Sequence, residues 1–426
     1  MQLTHQHIES SNQKLLEGHK SSFEYVANQL TARGVDVLDV LNKIKSFQVA
    51  IPSWALGMGG TRFGRFSVGG EPRNLQEKIE DIGLLHKLNG SSGSISIHIP
   101  WDIPDDIAEV NLLAESHGIK FDAVNSNTFQ DQADQKLSYK YGSLSHTDAK
   151  VREQAINHNI EVIKQGVALG SKSLTVWLSD GSCFPGQQNF KKAFQRTYES
   201  LVAIYEALPS DWKILIEYKP FEPAFYSTVI NDWGTSFLLA NKLGKKANTL
   251  VDLGHHLPNT NIEQIVALLI LQEKLGGFHF NDSKFADDDL TVGSIKPYQL
   301  FLIFNELVEG MHYSDNQLEL AWMIDASHNI KDPLEDLLQS VEAIKLAYAQ
   351  ALIIDRPKLW ESQRSNDVVL AQEIIQNAFR TDLRPLLAEA RLQHGAAIDP
   401  ISIFRSLDVR EVLINERGLK TFSTGL

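Results

Sequence analysis

The segment TLVDLGHH at residues 249–256 decides the fold, because a short apolar run ends there in acidic and imidazole side chains. The segments KILIEY (213–218), GFHFN (277–281) and LELAWMI (318–324) share this design. None of them has a long polar alternation, and continuous apolar runs are typical of parallel strands buried on both faces. The sequence therefore predicts a parallel sheet whose strands end in polar side chains.

Runs of this kind occur eight times, and amphipathic stretches of helical length such as Ala149–Leu169 and Ile262–Lys274 separate them. The predicted strands are Phe47–Ala55, Ser94–Ile99, Ile119–Asn125, Ser173–Leu178, Lys213–Tyr218, Thr249–Leu253, Gly277–Asn281 and Leu318–Ile324. Eight strands that alternate with helices predict an α/β fold, a closed (β/α)₈ TIM barrel. An open doubly wound sheet is the alternative. It is disfavoured because no helix-forming stretch follows GMGG (57–60) before about Leu75, as a nucleotide-binding loop requires.

Helical patterns also flank the barrel. We predict an N-terminal helical extension at 1–45 with a break near Arg33–Gly34, the catalytic barrel at 46–352, and a C-terminal helical extension at 353–426. A helix near Pro333–Leu352 closes the barrel, and further helices are predicted at 366–379, 382–394 and 400–405. We expect the C-terminal helices to pack against another subunit, with a solvated tail as the alternative.

Composition narrows the class of partner. The chain has 426 residues, 43% of them hydrophobic, and a formal net charge of -13, which disfavours nucleic acid and anionic membranes. A single cysteine, Cys183, excludes an intrachain disulfide and fits a reducing compartment. The first residues lack the apolar region of a secretory signal, and the apolar runs are too short to span a bilayer. We expect a cytoplasmic protein that acts on a small molecule.

Acidic and imidazole side chains collect at the ends of four consecutive predicted strands, where a parallel barrel has its active face. They are Glu217, Asp252, His255, His279, Asp287, Asp289 and Asp325, with Lys219 beside them. Five carboxylates so close together need a counter-charge, and two divalent ions plus one lysine would nearly neutralise them. Mixed carboxylate and imidazole ligands suit Mn²⁺, Co²⁺ or Zn²⁺, and Mg²⁺ is an alternative. A single aspartate could instead cap a helix, but four strands in succession favour a metal site.

Several segments resemble the L-rhamnose isomerase family of bacteria, in particular its broad-specificity branch. They include VDLGHH (251–256), GGFHFNDS (276–283), ADDDL (286–290), MIDASHN (323–329), PSWALGMGGTRFGRF (52–66), HIPWD (98–102), NSNTF (125–129), YKYGSLSH (139–146), TVWLSDGS (175–182), FPGQ (184–187) and EPAFYSTV (222–229). The likeness spans nearly the whole chain and is weakest in the first 40 residues and the C-terminal tail. It implies a barrel of xylose-isomerase type, a homotetramer, and two divalent metal ions per subunit, with Mn²⁺ expected.

The resemblance assigns these ligands residue by residue. It implies a structural metal on Glu217, Asp252, His279 and Asp325, and a catalytic metal on His255, Asp287 and Asp289, with Glu217 close to both metals. It also implies that Trp54, His98, Trp177 and Ser327 contact the sugar, and that Phe63 reaches the sugar site of an adjacent subunit. For each tryptophan, packing in the core is the alternative, and for the Phe63 loop it is ordinary surface packing.

These residues predict an aldose–ketose isomerase that converts L-rhamnose to L-rhamnulose and accepts L-mannose, L-lyxose and D-allose. Lys219 is expected to donate to a substrate oxygen, and Asp325 or a metal-bound water to relay the proton between O1 and O2. A hydride shift is favoured because each well-placed carboxylate already has a metal to bind, but an enediol route stays open. A sugar epimerase, a metal-dependent nuclease and a metal-stabilised sugar-binding protein are the alternatives. Asp325 in place of a glutamate disfavours the epimerase, and the negative charge disfavours the nuclease.

Overall fold

The predicted strands form one closed barrel in the computed structural model, which describes residues 3–59, 66–314, 318–421 and 423. The strands are β1 (Ala50–Pro52), β2 (Ser94–Ile99), β3 (Lys120–Ser126), β4 (Ser173–Val176), β5 (Lys213–Glu217), β6 (Ala247–Asp252), β7 (Leu275–Phe280) and β8 (Ala321–Ile324). All pair in parallel in chain order, and Ala50 of β1 pairs with Met323 of β8 to close the ring. The predicted (β/α)₈ fold is confirmed.

The first strand is much shorter than predicted. Only Ala50–Pro52 forms the strand, whereas Ser53–Ala55 form a 3₁₀ turn and Phe47 is the C-cap of the preceding helix. Pro52 explains the early end, because proline has no N–H to donate to a sheet and its φ of -74° suits the start of a helical turn. The second strand, by contrast, has the predicted bounds, Ser94–Ile99.

Helices separate the strands and extend beyond them at both ends. In the described ranges they are α1 (His5–Ala32), α2 (Val37–Ser46), α3 (Leu75–Asn89), α4 (Ile107–Ser116), α5 (Ala149–Leu169), α6 (Phe190–Ala207), α7 (Trp233–Leu243), α8 (Ile262–Leu271), α9 (Pro297–His312), α10 (Pro333–Leu352), α11 (Arg356–Arg364), α12 (Val368–Phe379), α13 (Arg384–Gln393), α14 (Pro400–Ser406) and α15 (Val409–Arg417). Gly34, with a φ of 82°, lies in the predicted break between α1 and α2. The sequence patterns did not predict α11 and α15.

Aspartate and asparagine side chains begin many of these helices. Asp148 and Asp332, for example, accept backbone N–H groups in the first turns of α5 and α10. Glycine ends two others, because Gly90 and Gly170 adopt the left-handed conformation after α3 and α5. The caps fix where each helix starts after its loop. Because these other residues cap the helices, the acids at the strand ends are not needed as helix caps.

The outer face of the barrel packs through aromatic rings. Phe278 and Phe280 of β7 stack on Trp322 of β8, and Phe280 also stacks on Phe304 of α9 with ring centroids 5.7 Å apart. Since successive residues of a strand point to opposite faces, this packing turns His279 toward the barrel interior. The hydrophobic core between sheet and helices therefore orients a polar residue into the barrel.

The terminal helices pack on one another. The side chain of Asn12 in α1 donates to the carbonyl of Ala396 and accepts from the N–H of Ile398, at 2.9 Å in both cases. Near the other end, the Arg417 guanidinium makes two hydrogen bonds to the buried Asp81 carboxylate of α3. No single helix of the described ranges is long and apolar enough to cross a membrane, although α10 and α11 together reach that length and composition as a pair bent by 66°.

Candidate metal centre

Inside the barrel, a layer of polar side chains lies above a layer of apolar ones, because every second side chain of a strand points inward. The lower layer is a small apolar cluster that includes Leu215, Leu250 and Met323. Two residues further along the same strands come the acids Glu217, Asp252 and Asp325. Alternation places each acid directly above the apolar residue of its own strand, at the carboxyl end where loops form the active face.

Three carboxylates surround one nitrogen of His279. Its Nδ1 lies 3.2 Å from Glu217 Oε1, 3.7 Å from Asp252 Oδ2 and 4.0 Å from Asp325 Oδ2. His279, Glu217 and Asp252 are buried, and their ligand atoms lie within 4.8 Å of one another. The resemblance named these four residues as one ligand set, and the structure brings all four together.

A second group forms around His255. Its Nε2 lies 3.1 Å from Asp287 Oδ1, while its Nδ1 lies 2.9 Å from the backbone carbonyl of Tyr218. Because Nδ1 must donate to that carbonyl, Nε2 is the nitrogen left to carry a lone pair toward a cation. Asp252 also lies within ligand distance of His255 and Asp287, so this aspartate belongs to both groups. The family resemblance named Glu217 as the acid close to both metals, and Glu217 Oε1 does lie 3.3 Å from His255 Nδ1 and 3.2 Å from His279 Nδ1. It did not name Asp252 for the second group.

Lys219 and Asp289 complete the second group. The Lys219 ammonium lies 2.5 Å from Asp287 Oδ2 and 5.3 Å above the ring of Trp177. Asp289 is buried and hydrogen-bonds to Asp287, and its Oδ1 lies 3.4 Å from the side-chain amide nitrogen of Asn281. The residues predicted for a catalytic metal therefore also meet, with the lysine against one of the ligands.

The carboxylates are held in unequal environments. Burial, together with the nearby charges of Asp287 and Glu217, raises the pKa of Asp252 to about 7 against the opposing effect of His255. Burial and the Asp287 charge also raise the pKa of Asp289 well above its usual range. For Asp287 itself, burial is outweighed by His255 and Lys219, which hold its pKa well below the usual range.

The imidazoles respond to the same charges. Burial alone would lower the pKa of His279, but the Glu217 carboxylate outweighs it and raises that pKa to about 9. Likewise, burial would lower the pKa of His255, but Asp252 and Asp287 raise it to about 9. Without a metal, protons on the imidazoles and on the less acidic carboxyls supply the compensation that so many buried acids require.

These groups fit a divalent cation. The Oδ2 atom of Asp252 is buried and has no hydrogen-bond donor among the described residues, although it faces the centre of the His279 group. Hard carboxylate oxygens mixed with imidazole nitrogens are the ligands of Mn²⁺, Co²⁺ and Zn²⁺. The alternative that the acids cap helices is excluded for Asp252, Asp287 and Asp325, because none of them is the N-cap of a described helix. The residues could therefore hold a divalent metal, and Asp252 is a candidate ligand in both groups.

A cavity of about 320 Å³ opens directly onto these groups. Of the predicted sugar contacts, Trp54, His98, Trp177 and Lys219 line it. Trp54 Nε1 donates to Asp325 Oδ1 at 2.7 Å, which ties the cavity wall to the metal groups. Burial lowers the pKa of His98 to about 3, so its ring is neutral. The volume and the mixed lining suit a small polar molecule with apolar faces.

Two predicted contacts are not placed in this cavity. Ser327 is buried and its N–H donates to the Asp289 carbonyl at 3.2 Å, but among the described residues it does not line the cavity. Phe63 lies outside the described residues.

The structure adds residues that the sequence argument did not assign. Phe129, Glu222, Pro223 and Phe225 also line the cavity, and the Phe129 ring lies 4.7 Å from the Trp177 ring. The motifs NSNTF (125–129) and EPAFYSTV (222–229) contain all four, and both motifs stood out in the sequence only through the family resemblance. Their roles depend on loop conformation, which residue types and spacing do not fix.

A buried ion pair supports the cavity wall from behind. The Asp102 carboxylate accepts from Lys78 Nζ at 2.6 Å, from Ser53 Oγ at 2.5 Å and from the His98 N–H at 2.9 Å. Ser53 precedes Trp54, so the Asp102 carboxylate joins the 3₁₀ turn that carries Trp54 and the strand that carries His98 to α3. Neither Lys78 nor Asp102 was predicted as part of the site, because the pair is formed by residues far apart in sequence.

Two relatives of high sequence identity show the family to which this chain belongs. The chain is 50% identical to a probable sugar isomerase of Rhizobium meliloti (strain 1021) over 410 residues, which are 96% of this chain and 95% of that protein. It is 49% identical to a probable sugar isomerase of Mesorhizobium japonicum (strain LMG 29417 / CECT 9101 / MAFF 303099), with 98% and 97% of the two chains covered. The chain belongs to this family of probable sugar isomerases.

A more distant relative carries the name of the family that the sequence motifs resemble. The L-rhamnose isomerase of Rhodopirellula baltica (strain DSM 10527 / NCIMB 13988 / SH1) is 22% identical over 396 residues, or 81% of this chain and 88% of that protein. The relatives at about 50% identity carry the broader description, sugar isomerase, so family membership is shown at that level. No protein-family model matches the chain.

Solved structures agree on the fold. An L-ribulose 3-epimerase superposes with a TM-score of 0.52 at 14% identity, covering 76% of this chain and 98% of that one. The 3-keto-D-glucoside 4-epimerase of E. coli superposes with a TM-score of 0.51 at 14% identity, covering 70% and 99%. At this identity the likeness establishes only that this chain has the same barrel architecture.

Proposed function

We propose that this protein is a divalent-metal-dependent aldose–ketose isomerase. One observation carries the proposal: two imidazoles and five carboxylates converge at the carboxyl end of the barrel, with Lys219 among them and a cavity above. A structural ion pair would not need this many acids, whereas an isomerase needs charge at two adjacent oxygens of its substrate. The family of probable sugar isomerases supports the same reaction class.

The proposed substrates are L-rhamnose and related aldoses, namely L-mannose, L-lyxose and D-allose. The sequence motifs and the relative named L-rhamnose isomerase support this choice. The proposed ions are two per subunit, with Mn²⁺ preferred and Co²⁺, Zn²⁺ or Mg²⁺ as alternatives. Glu217, Asp252, His279 and Asp325 would hold the first, and His255, Asp287 and Asp289, with Asp252 in reach, the second.

The reaction moves one hydrogen between C1 and C2 and one proton between O1 and O2. Bound divalent ions would supply positive charge that polarises the carbonyl and holds the reacting oxygens. Lys219 then donates a hydrogen bond to a substrate oxygen as negative charge grows on it, and Asp287 keeps the lysine protonated. The neutral ring of His98 and the indole of Trp177 wall off water beside the reacting carbons.

Asp325 is the residue proposed to relay the O1/O2 proton. In the metal-free protein, burial raises the pKa of Asp325 above its usual value, against His279 and the Trp54 N–H, which favour the charged form. The Asp325 carboxylate lines the cavity, where a proton relay must face its substrate. The carbon-bound hydrogen is proposed to move as hydride, since the acids nearest the strands are committed to the metal groups.

A chelator-and-rescue assay tests the proposal. The protein is stripped with EDTA, reloaded separately with Mn²⁺, Co²⁺, Zn²⁺ or Mg²⁺, and incubated with L-rhamnose, L-mannose, L-lyxose, D-allose or D-xylose. Ketose formation that depends on added metal is the expected result. A folded, metal-loaded protein that forms no ketose would refute it, and an epimer of a ketose as the product would identify an epimerase.

Variants link the activity to the site. Asp325→Asn and His255→Asn should each abolish turnover and leave the thermal unfolding of the metal-free protein within a few degrees of wild type. Asp232→Asn is the matched control, because Asp232 caps α7 outside the cavity and asparagine is also a good cap. Full activity in both site variants would contradict the assignment.

We also propose, from the family resemblance, a homotetramer in which Phe63 contributes to a neighbouring subunit, and, from the single cysteine, a cytoplasmic location. Light scattering should give four times the 47.7 kDa chain mass. A monomeric mass in an active preparation would contradict the tetramer.

A further inference from the structure

The seam where β1 meets β8 closes the barrel, and it has little strand pairing. Between these two strands the described residues register only Ala50 with Met323, whereas the whole of β8 pairs with β7. Strand β1 then ends at Pro52, which has no N–H to donate across the seam. Trp54 and Asp325, which meet in the cavity wall, lie on opposite sides of this seam and further along both segments. Contacts other than the sheet must therefore hold them together.

A histidine of the loop after β8 crosses the same seam. The side chain of His328 is fully buried, and its Nε2 lies 2.6 Å from the backbone carbonyl of Ala55, the residue after Trp54. Its Nδ1 lies 2.7 Å from Asp336 Oδ2, in the first turn of α10. Gly59 and His328 also form an isolated parallel bridge. One side chain therefore joins the turn after β1, the loop after β8 and helix α10.

Both ring nitrogens of His328 face acceptors. A carbonyl oxygen only accepts, so Nε2 donates to Ala55. Burial would raise the pKa of Asp336, but hydrogen bonds from His328, Thr291 and Lys331 outweigh it and lower that pKa. Asp336 is therefore a carboxylate that accepts from Nδ1. A ring that donates from both nitrogens is fixed in position and in orientation.

These contacts fix the segments on both sides of the seam. Ala55 follows Trp54 in the turn Ser53–Ala55, so a bond to its carbonyl holds the turn that carries the indole. On the other side, His328 lies in the same loop as Asp325, just after β8. Trp54 Nε1 donates to Asp325 Oδ1 at 2.7 Å, so this bond and the His328 contacts connect the same two segments. The distance between the indole and the carboxylate therefore depends on His328.

We infer that His328 is a positioning residue, which holds Trp54 at hydrogen-bond distance from Asp325 and so orients the proposed proton relay. Among the described residues that line the cavity His328 is absent, so it acts through Trp54 and not on a substrate. The inference rests on the proposed function, because it takes Asp325 to relay the proton between O1 and O2. Loss of the His328 contacts slows this relay and leaves sugar binding in place.

The test compares His328→Asn with wild type in the metal-loaded protein. Asparagine tolerates the left-handed φ of 59° at this position, but its shorter side chain cannot reach Ala55 and Asp336 together. A misplacement of about 1 Å can cost roughly 100-fold in rate, so kcat for L-rhamnose should fall roughly 10- to 100-fold. KM should stay within about threefold of wild type, because no substrate contact is removed. His328→Gln, whose amide nitrogen can reach only one of the two acceptors, should show a smaller fall, and it replaces His328→Asn if that variant does not fold.

A double variant shows whether His328 acts through Trp54. In the Trp54→Phe background the indole N–H that donates to Asp325 is already gone. Adding His328→Asn to that background should therefore lower kcat by less than about threefold, because two changes to one chain of contacts are not additive.

A second readout does not depend on turnover. In protein with ¹⁵N-labelled tryptophan, the Trp54 indole N–H signal is assigned by its absence from the Trp54→Phe spectrum. Hydrogen exchange of this N–H reports how firmly the indole is held, and it should be at least about tenfold faster in His328→Asn than in wild type.

His19→Asn is the matched control. His19 is also a buried histidine that pairs with a carboxylate, since its Nε2 lies 2.8 Å from Glu389 Oε2, but it lies in α1 outside the cavity. The control should therefore leave kcat, KM and the exchange of the Trp54 indole as in wild type. Thermal unfolding of each variant verifies that it is folded.

The outcomes separate the two proposals. An unchanged exchange rate of the Trp54 indole in folded His328→Asn protein would overturn the inference. An unchanged kcat in that variant, or a fall of full size in the Trp54→Phe background, would overturn it as well. If wild type forms no ketose from any sugar, the proposed function fails. In that case indole exchange still decides whether His328 holds Trp54 in place.

Discussion

Replacing Lys78 by methionine tests how far the cavity depends on the ion pair behind it. The Lys78 and Asp102 side chains are 0% and 1% exposed, and Nζ lies 2.6 Å from Oδ1. Methionine has a similar length but no charge, so the substitution leaves the Asp102 carboxylate buried without its ammonium partner. Breaking a buried pair from one side costs about 3–5 kcal/mol.

The expected shift in the unfolding temperature follows from chain length. Unfolding entropy of roughly 2 cal/mol/K per residue gives roughly 0.9 kcal/mol/K for a chain of this size. A loss of about 3–5 kcal/mol then lowers Tm by roughly 3–6 °C. Differential scanning calorimetry of wild type and Lys78→Met at one scan rate measures this difference, with metal-free protein used for both.

A double variant identifies the cause. Asp102→Asn in the Lys78→Met background removes the unpaired charge, and the amide oxygen can still accept from Ser53 and His98. We expect the double variant to regain at least half of the lost Tm. A shift below about 1 °C in Lys78→Met, or a double variant less stable than both single variants, would refute the argument that an uncompensated charge is responsible.

Three further outcomes follow from the site. Trp54→Phe removes the N–H that donates to Asp325 at 2.7 Å, so kcat/KM for ketose formation should fall roughly 10- to 100-fold. An unchanged kcat/KM would show that Trp54 has no part in the mechanism. In the metal-free protein His255 and His279 have pKa values near 9, so at pH 7 both must release a proton before they bind a metal. Metal affinity should therefore rise from pH 7 toward pH 9 and fall with acid, and calorimetry in two buffers of different ionisation enthalpy should detect proton release. Mn²⁺ at about 100 times its Kd should stabilise the fold by about 2.7 kcal/mol per site, or roughly 3 °C, and the absence of any shift would contradict a metal site.

Much of the fold could be predicted from the sequence because buried parallel strands leave a strong local pattern. Ser94–Ile99, Ala149–Leu169 and Pro333–Leu352 have the predicted bounds. The prediction failed at Phe47–Ala55, where an apolar run continues through a proline that ends the strand. Apolarity marks a buried segment, but it does not say where extended backbone gives way to a turn.

The chemistry of the strand ends could also be anticipated, since topology brings the ends of parallel strands to one face. Residues in loops were harder to assign. Glu222 reaches the cavity through a left-handed backbone conformation, and Asp102 meets Lys78 across 24 positions of sequence. Such contacts arise from tertiary packing, which a single sequence does not encode locally. The sharing of Asp252 between two groups is a further case, because it depends on distances among residues of three neighbouring strands and the loops that follow two of them.

The contact between α1 and α13 has a consequence for synthesis of the protein. Helix α1 buries Ile8 and Leu30, and its Asn12 and His19 bond to residues near 396 and 389, in the last tenth of the chain. During synthesis, α1 therefore emerges from the ribosome long before α13, its packing partner, has been made. During that interval the apolar face of α1 is open to solvent or to other chains, and a chain that stops before α13 never covers it. Chaperones or proteases could thus recognise a truncated chain by the exposed apolar face of α1, the helix that is synthesised first.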